Sequence, residues 1–595
     1  MDMLRSRFGF RVGIALFSLT CLATTAWGQV PLINQPLVPT SAAPGGPGFT
    51  LTVNGTGFTP ESVVEWNGAA LFTLVTSDAQ LSANVPASLI ATSGTASVTI
   101  VAPGLPTSNV IPFPVATSEP AVTFGHNDLT SYPYVSGLIA ADFNGDGITD
   151  LALGVNGIDV LLGNGDGTFG PPINTPVGES FGLTLGDFNG DGKLDLIVHN
   201  EDYGALQILI GNGDGTFTPG AFYSPPGDSY ALDIFVGDFN GDGKLDFGFS
   251  YDYEGGGGLA IYLGNGNGTF QSPIHTGCGE QSQGVNGVAV GDFNMNGKLD
   301  LAVAGLLTTG PGVCILLGNG DGTFQSPVTY PANVGDGYVA TADFNGDGSL
   351  DLVLSGEGPN QVAVLLGNGD GTFQNPAYYD AGPGPANLEV SDSNNDGKLD
   401  LAVLGGTSAG ASSLSLLLGN GDGTFQNYTE FPEESYAFAP TLGDFNNDGR
   451  LDLAVANGYE STTTIALLIQ NGVSLGPPSL TFSIQDVGTI SPSQPVTLTN
   501  EGTTALAING ISLSGSNPGD FGQTNTCGTS LAPGSSCTIN VTFDPTAIGT
   551  RTATLNVSDT GPSSPQTVSL TGTGETLTVA FSPTSLTFRF SLSAP

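Results

Sequence analysis

Seven nine-residue loops carry oxygen-bearing side chains at positions 1, 3, 5 and 9 and a glycine at position 6. Their side-chain donors are Asp142, Asn144, Asp146 and Asp150; Asp187, Asn189, Asp191 and Asp195; Asp238, Asn240, Asp242 and Asp246; Asp292, Asn294, Asn296 and Asp300; Asp343, Asn345, Asp347 and Asp351; Asp392, Asn394, Asp396 and Asp400; Asp444, Asn446, Asp448 and Asp452. Position 7, occupied by Ile148, Lys193, Lys244, Lys298, Ser349, Lys398 and Arg450, offers a backbone carbonyl. Four side chains and one carbonyl in a Gly-rich loop form the oxygen set that a hard, loosely coordinated cation takes. The expected ion is Ca2+, up to seven per chain. Zinc would want His or Cys at close spacing, and His126, His199 and His275 stand alone. Magnesium prefers an octahedral shell with retained waters. A helical EF-hand is excluded because position 12 is apolar, Leu153 in the first loop and Val198 in the second.

Two loops depart from the pattern. In the fourth, Met295 and Asn296 replace Gly and Asp, which removes a carboxylate and weakens the site. In the sixth, Ser393 replaces the Phe found at position 2 and leaves the donors intact. The loops hold 20 aspartates, three in each of six and two in the fourth. Carboxylates this close repel one another, so a bound cation is expected to be structural, offsetting the repulsion and tying strands together. The side chains at position 7 are expected to point into water.

The elements that position these loops follow from their period. Successive copies begin 45 to 54 residues apart, and a second phrase, Asn164-Gly-Asp-Gly-Thr-Phe169, recurs from Asn212, Asn265, Asn319, Asn368 and Asn420. Asn-Gly between apolar runs marks a hairpin, because both residues tolerate positive φ. Each unit therefore reads strand, acidic loop, strand, strand, turn, strand, and seven such units predict a seven-bladed β-propeller. A linear solenoid is the competing architecture. Against it, the seventh unit ends without a Thr-Phe strand, while Ala121 to Pro133, ahead of the first loop, carries the missing fourth-strand pattern and would close the ring.

Loops of the form DxNxDGxxD with a following NGDGTF turn resemble the FG-GAP/VCBS repeats that also build the integrin α propeller. The resemblance implies one calcium per loop, held between the first and second strands of a blade. Residues 30–117 alternate short β-rich runs with Gly/Pro turns, at Phe49 to Val53, Val63 to Trp66, Leu81 to Val85 and Ala96 to Val101. The phrase from Val53 to Gly68 resembles IPT/TIG-type immunoglobulin-like domains. Residues 477–574 show the same rhythm, and Cys527 to Val557 resembles Hydin-like, choice-of-anchor D immunoglobulin-like modules. The expected fold is all-β: a seven-bladed β-propeller over 118–475 flanked by two immunoglobulin-like β-sandwiches. Residues 575–595 look like the start of a further module.

Residues 1–28 have the features of a signal peptide: basic Arg5, Arg7 and Arg11, an apolar stretch from Val12 to Ala23, and Ala26 and Gly28 before Gln29. The apolar stretch is too short to span a bilayer, so no transmembrane segment is expected and the mature chain should be secreted or at the cell surface. An oxidising compartment suits a Cys527–Cys537 disulfide across Pro533 and Gly534, and leaves a Cys278–Cys314 pair open. With 10 Lys plus Arg against 54 Asp plus Glu and a net charge of -44, the chain repels phosphate backbones and anionic lipid. Nucleic acid and membrane-surface roles are thereby disfavoured.

Catalytic signatures are thin. Gly406-Thr-Ser408-Ala-Gly410 matches GxSxG but leads into a strand rather than the helix a nucleophile elbow needs. The GNGDG runs lack the helix and Lys of a phosphate loop. The sequence thus points to a monomeric binding or adhesion protein, not an enzyme, for an unknown protein or glycan ligand. Tyr203, Tyr230, Tyr251, Tyr253 and Tyr436 are candidate contacts. The alternative is a polysaccharide-active lyase or hydrolase on a propeller scaffold.

Overall fold

The computed structural model describes residues 29–576, apart from 93, 117–121, 123, 130–131, 133–134, 201–203, 226–229, 253–256, 279–282, 308–309, 335–336, 357–359, 407–411, 434–436, 460–461, 471–472, 478, 501–504, 533–534 and 560–564. The signal-peptide features, the tail, Tyr203, Tyr253, Tyr436, the side chain of Tyr230 and most of the GxSxG stretch lie outside the described residues. Among those described, the chain is all-β, with two single-turn 3-10 segments at Ala87–Ile90 and Pro518–Asp520. Among the described residues, no helix is long and apolar enough to cross a membrane.

The N-terminal unit is a β-sandwich. One sheet orders strands Leu32–Ile33, Phe49–Thr56, Gln80–Val85 and Phe72–Val75; the other orders Ala69–Ala70, Val63–Trp66, Gly94–Val101 and Ile111–Val115. Alternation along the strands drives it: Leu51, Val53, Leu81, Ala83 and Val85 turn inward from one sheet, and Val64, Trp66, Val98, Ile100 and Phe113 from the other. Trp66 and Phe113 pack with ring centroids 5.0 Å apart.

The central region is a β-propeller. Five four-stranded antiparallel sheets each hold one acidic loop between their first and second strands, and a six-stranded sheet from Gly137–Ala141 to Phe217–Tyr223 holds the first two loops. In that sheet Asp150–Leu161 and Ile173–Gly186 each pair on both sides, so two consecutive units are fused edge to edge. The first strands of successive units touch one another in turn, and Ala437–Gly443 returns to Gly137–Ala141. These first strands therefore line the axis of a closed ring. Closure uses the N-terminal strand that the sequence suggested: Phe124–Asp128 pairs antiparallel with Thr462–Gln470, placing Phe124 opposite Gln470 and Asp128 opposite Ala466. Middle strands such as Asp195–Asn200 are buried along their whole length, because neighbouring units cover both faces.

Cys278 and Cys314, left open as a pair by the sequence, are bonded with Cα atoms 6.0 Å apart, and both are buried in the core between the third and fourth units. The C-terminal unit is a second sandwich. One sheet orders Val473–Gly476, Gln494–Asn500, Ser536–Phe543 and Phe521–Asn525, and the other is built on Gly549–Asp559 and Gln566–Glu575. Cys527 and Cys537 are bonded within its core, with Cα atoms 4.8 Å apart.

Candidate metal centre

Each loop is a run of side-chain turns. In the first, Asp142 Oδ1 accepts the amides of Gly145 and Asp146, and Oδ2 accepts that of Gly147. Asn144 Oδ1 accepts the Asp146 amide, and Asp146 Oδ1 accepts that of Ile148. Positions 1, 3 and 5 are thus held by amides of their own loop. The path requires left-handed backbone at positions 4 and 6. Gly145 has φ 76° and Gly147 φ 82°, and even the non-glycine residues at position 4, Met295, Asn395 and Asn447, adopt φ 55°, 56° and 55°.

Position 9 does something the spacing did not announce. Asp150 is fully buried; its Oδ2 accepts the Phe143 amide at 2.9 Å and its Oδ1 the Gly163 amide at 2.8 Å. It therefore staples the loop to the strand leading into the Asn-Gly turn. Asp195, Asp246, Asp300, Asp351 and Asp400 repeat both bonds, with Gly211, Gly264, Gly318, Gly367 and Gly419 as distant partners, and Asp452 bonds Phe445 and Gln470.

Burial dominates the electrostatics here. It raises the carboxyls of Asp150 and Asp195 to about 6, Asp300 and Asp351 to about 7, and Asp246 to about 8, partly offset by the amide bonds. The charges that these groups feel come from other loop carboxylates, such as Asp142 and Asp146 on Asp150, and push the same way. By contrast Asp214, Asp321, Asp370 and Asp422 in the turns are lowered by hydrogen bonds from Thr216, Thr323, Thr372 and Thr424.

Among the described residues, no group of three or more His, Cys, Asp and Glu side chains is gathered as a closed metal cluster. The donors of these loops are mixed instead, carboxylate, amide oxygen and carbonyl, which is a hard-cation set. Among the buried polar atoms without a hydrogen-bond partner, Asn294 Oδ1 stands at a donor position, position 3 of the fourth loop, while Asn395 Oδ1 and Nδ2 stand at position 4 of the sixth. Buried polar atoms are normally satisfied, and a cation would satisfy Asn294 Oδ1. The chemistry of the loops therefore fits calcium.

The position-7 side chains Lys193 and Lys298 are exposed, but their stems and those of Lys244 and Lys398 do more than point into water. The stems of Lys193, Lys244, Lys298 and Lys398 lie across Gly213, Gly266, Gly320 and Gly421, where a Cβ would meet their carbons at 3.0–3.1 Å. Lys298 Nζ donates to the Asn319 carbonyl at 2.7 Å. The stems cover the turns while the charges stay near the surface.

Position 2 links the units. Phe143, Phe188, Phe239, Phe293 and Phe344 pack on Phe217, Phe270, Phe324, Phe373 and Phe425 of the following unit, with centroids 5.6–6.1 Å apart. Phe445 closes the series on Phe169 at 5.9 Å, and the Gly167 amide donates to the Phe445 carbonyl at 2.9 Å. The remaining seam joins the sixth and seventh loops. There Ser393 replaces Phe and the seventh unit has no Thr-Phe strand; Gln470 Nε2 donates to the Ser393 carbonyl at 2.5 Å instead.

Comparison with known proteins agrees with this architecture. A model described as FG-GAP-like repeat matches residues 142–198, 187–249, 248–303, 306–354, 343–403 and 392–455. A model described as HYDIN/CFA65/VesB-like, Ig-like domain matches 474–574. No curated protein matches. Similar solved structures include the Dos1 propeller, 12% identical, covering 74% of this chain and 95% of that one at TM-score 0.37. An auxiliary nutrient binding protein from Bacteroides ovatus is 11% identical, with 74% and 98% covered at TM-score 0.31. A PapD-like domain of human CEP192 is 18% identical, with 18% and 87% covered at TM-score 0.15. With the six repeat matches spanning more than half of its length, the chain belongs to the FG-GAP-like repeat family, as a β-propeller followed by a HYDIN/CFA65/VesB-like Ig-like domain.

Proposed function

We propose that this chain is a secreted or cell-surface binding protein: a seven-bladed, calcium-stabilised β-propeller that presents its variable loops to a protein or glycan ligand. The N-terminal sandwich is an IPT/TIG-like spacer or further contact module in this proposal. The observation that carries it is the array of acidic loops, each ending in a buried aspartate whose carboxylate neighbours raise its cost of ionisation. Calcium would be held by the side chains at positions 1, 3, 5 and 9 and the carbonyl at position 7 of each loop. It would supply the positive charge that lets those carboxylates stay ionised together. The protein's own part is to hold the donors in left-handed turns and to exclude water from position 9. Two disulfides in described cores favour an oxidising, extracellular setting.

The chain acts by binding rather than by catalysis in this account. A glycan array run in calcium, with product analysis by chromatography, tests it. Retention of a glycan or protein without depolymerisation supports the proposal, and release of shortened glycans sinks it.

A further inference from the structure

The leading edge of the first sandwich, residues 29–42 with its strand Leu32–Ile33, forms a strap that runs across the acidic-loop face of the propeller. The Val30 amide donates to Asp238 Oδ2 at 2.9 Å, position 1 of the third loop. The Gln35 carbonyl accepts the Asp343 amide at 3.1 Å, position 1 of the fifth. Thr40 Oγ1 donates to Asp392 Oδ2 at 2.6 Å, position 1 of the sixth, and Ser41 Oγ to the Asn395 carbonyl at 3.3 Å. Leu32 packs against the core between the third and fourth units. The sandwich itself meets the seventh loop: a Cβ built on Gly449 would collide with the Val115 carbonyl, and one on Gly94 would lie 3.1 Å from Asn447 Oδ1. Position 1 is nearly sealed in the third, sixth and seventh of these loops, with Asp238 2%, Asp392 6% and Asp444 5% exposed, and also in the fourth, with Asp292 6%.

We propose that residues 29–42 and the N-terminal sandwich form a cap whose seating on the propeller is coupled to divalent-cation loading of the third, sixth and seventh loops. This rests on the calcium reading above. Val30 and Thr40 donate to the same carboxylates that would hold the cation, so a bound ion would fix their acceptors in place. An empty loop leaves sealed carboxylates that repel one another, and uncovering them to water relieves that cost. Coupling of this kind is reciprocal, so a seated cap also tightens the cation. The capped face is then unavailable to a large ligand, which directs binding to the opposite face or the rim.

Hydrogen exchange on the full chain reads the coupling directly. The Val30 and Asp343 amides bond across the interface, whereas Asn34 and Val38 donate to Asn54 and Thr52 within the sandwich. Replacing calcium by EGTA is expected to speed exchange at Val30 and Asp343 by about 5–150-fold, the usual range for coupled sites. Asn34 and Val38 should stay slow. Thr40→Val should weaken calorimetric calcium binding several-fold at one class of site and loosen Val30 even in calcium. Asp142→Asn, in a loop whose position-1 bonds are internal, should cost one calcium and leave Val30 protected. Equal protection of Val30 and Asp343 in calcium and EGTA, with calcium binding seen by calorimetry, overturns the coupling and leaves the calcium reading standing. Calorimetry that shows no calcium binding overturns both.

Discussion

Replacing Phe445 by Ala probes whether the ring is closed by packing between its last and first units. Phe445 is 1% exposed, packs at a tilt against Phe169 with centroids 5.9 Å apart and accepts the Gly167 amide through its carbonyl. Phe188, 2% exposed and 5.8 Å from Phe270, occupies the same place at an interior seam. Deleting a buried phenylalanine side chain costs about 3–5 kcal/mol, from lost transfer energy and the cavity left behind. In a closed ring both substitutions should cost this much, because both seams are equally packed. For a unit larger than 250 residues, at about 2 °C or a little less per kcal/mol, the melt should fall by roughly 5–8 °C. Calorimetry would follow the propeller transition, while fluorescence of Trp66, buried in the N-terminal sandwich, serves as an internal reference. If Phe445→Ala lost under about 1 kcal/mol while Phe188→Ala lost the full amount, the last and first units would not be joined as described.

Three further outcomes follow from single contacts. Asp195→Asn turns one of two buried acceptors into a donor facing the Phe188 or Gly211 amide, so it should cost about 1–3 kcal/mol even in EGTA; an unchanged melt would make position 9 a ligand only. Gly449→Ala and Gly147→Ala both place a side chain at positive φ, 87° and 82°, but only Gly449 also faces the Val115 carbonyl. Gly449→Ala should therefore speed exchange at Gly94 and Val115 and Gly147→Ala should not, and equal effects would place the sandwich elsewhere. Glu389, on the inner strand Pro385–Ser391, is pushed up to about 7 by burial. A raised folded value means its stabilising contribution is full below about 4.5 and is lost as pH climbs through 7. Glu389→Gln should flatten the fall in melting temperature between pH 5 and 8, and an identical pH profile in the variant would refute the assignment.

Much of the fold was legible because its signals are local. The repeat period set the order of strand, loop, strand, strand, turn and strand, and the fourth-strand pattern near Phe124 pointed to its pairing with Thr462–Gln470. Alternation placed Val63–Trp66 as a strand with the bounds observed. What stayed hidden depends on partners distant in sequence. The second role of Asp150 needs the amide of Gly163, 13 residues on, and that of Asp400 needs Gly419, 19 residues on. Ser393 and the missing Thr-Phe strand were each visible, but their link through Gln470 appears only once the sixth and seventh units lie side by side. Residues 30–117 read as one β-sandwich, and nothing in the composition of their first stretch, with Pro31, Pro36 and Pro39, says which propeller carboxylates it will cross.

The most direct measurement is calorimetric titration of the purified full chain with calcium, paired with melts in calcium and in excess EGTA. Saturable binding of six or seven calcium ions is expected, the fourth loop being weakest because Asn296 replaces an aspartate. A melt substantially lower in EGTA should accompany it. No heat of binding and superimposable melts would contradict the claim that the acidic loops are structural calcium sites.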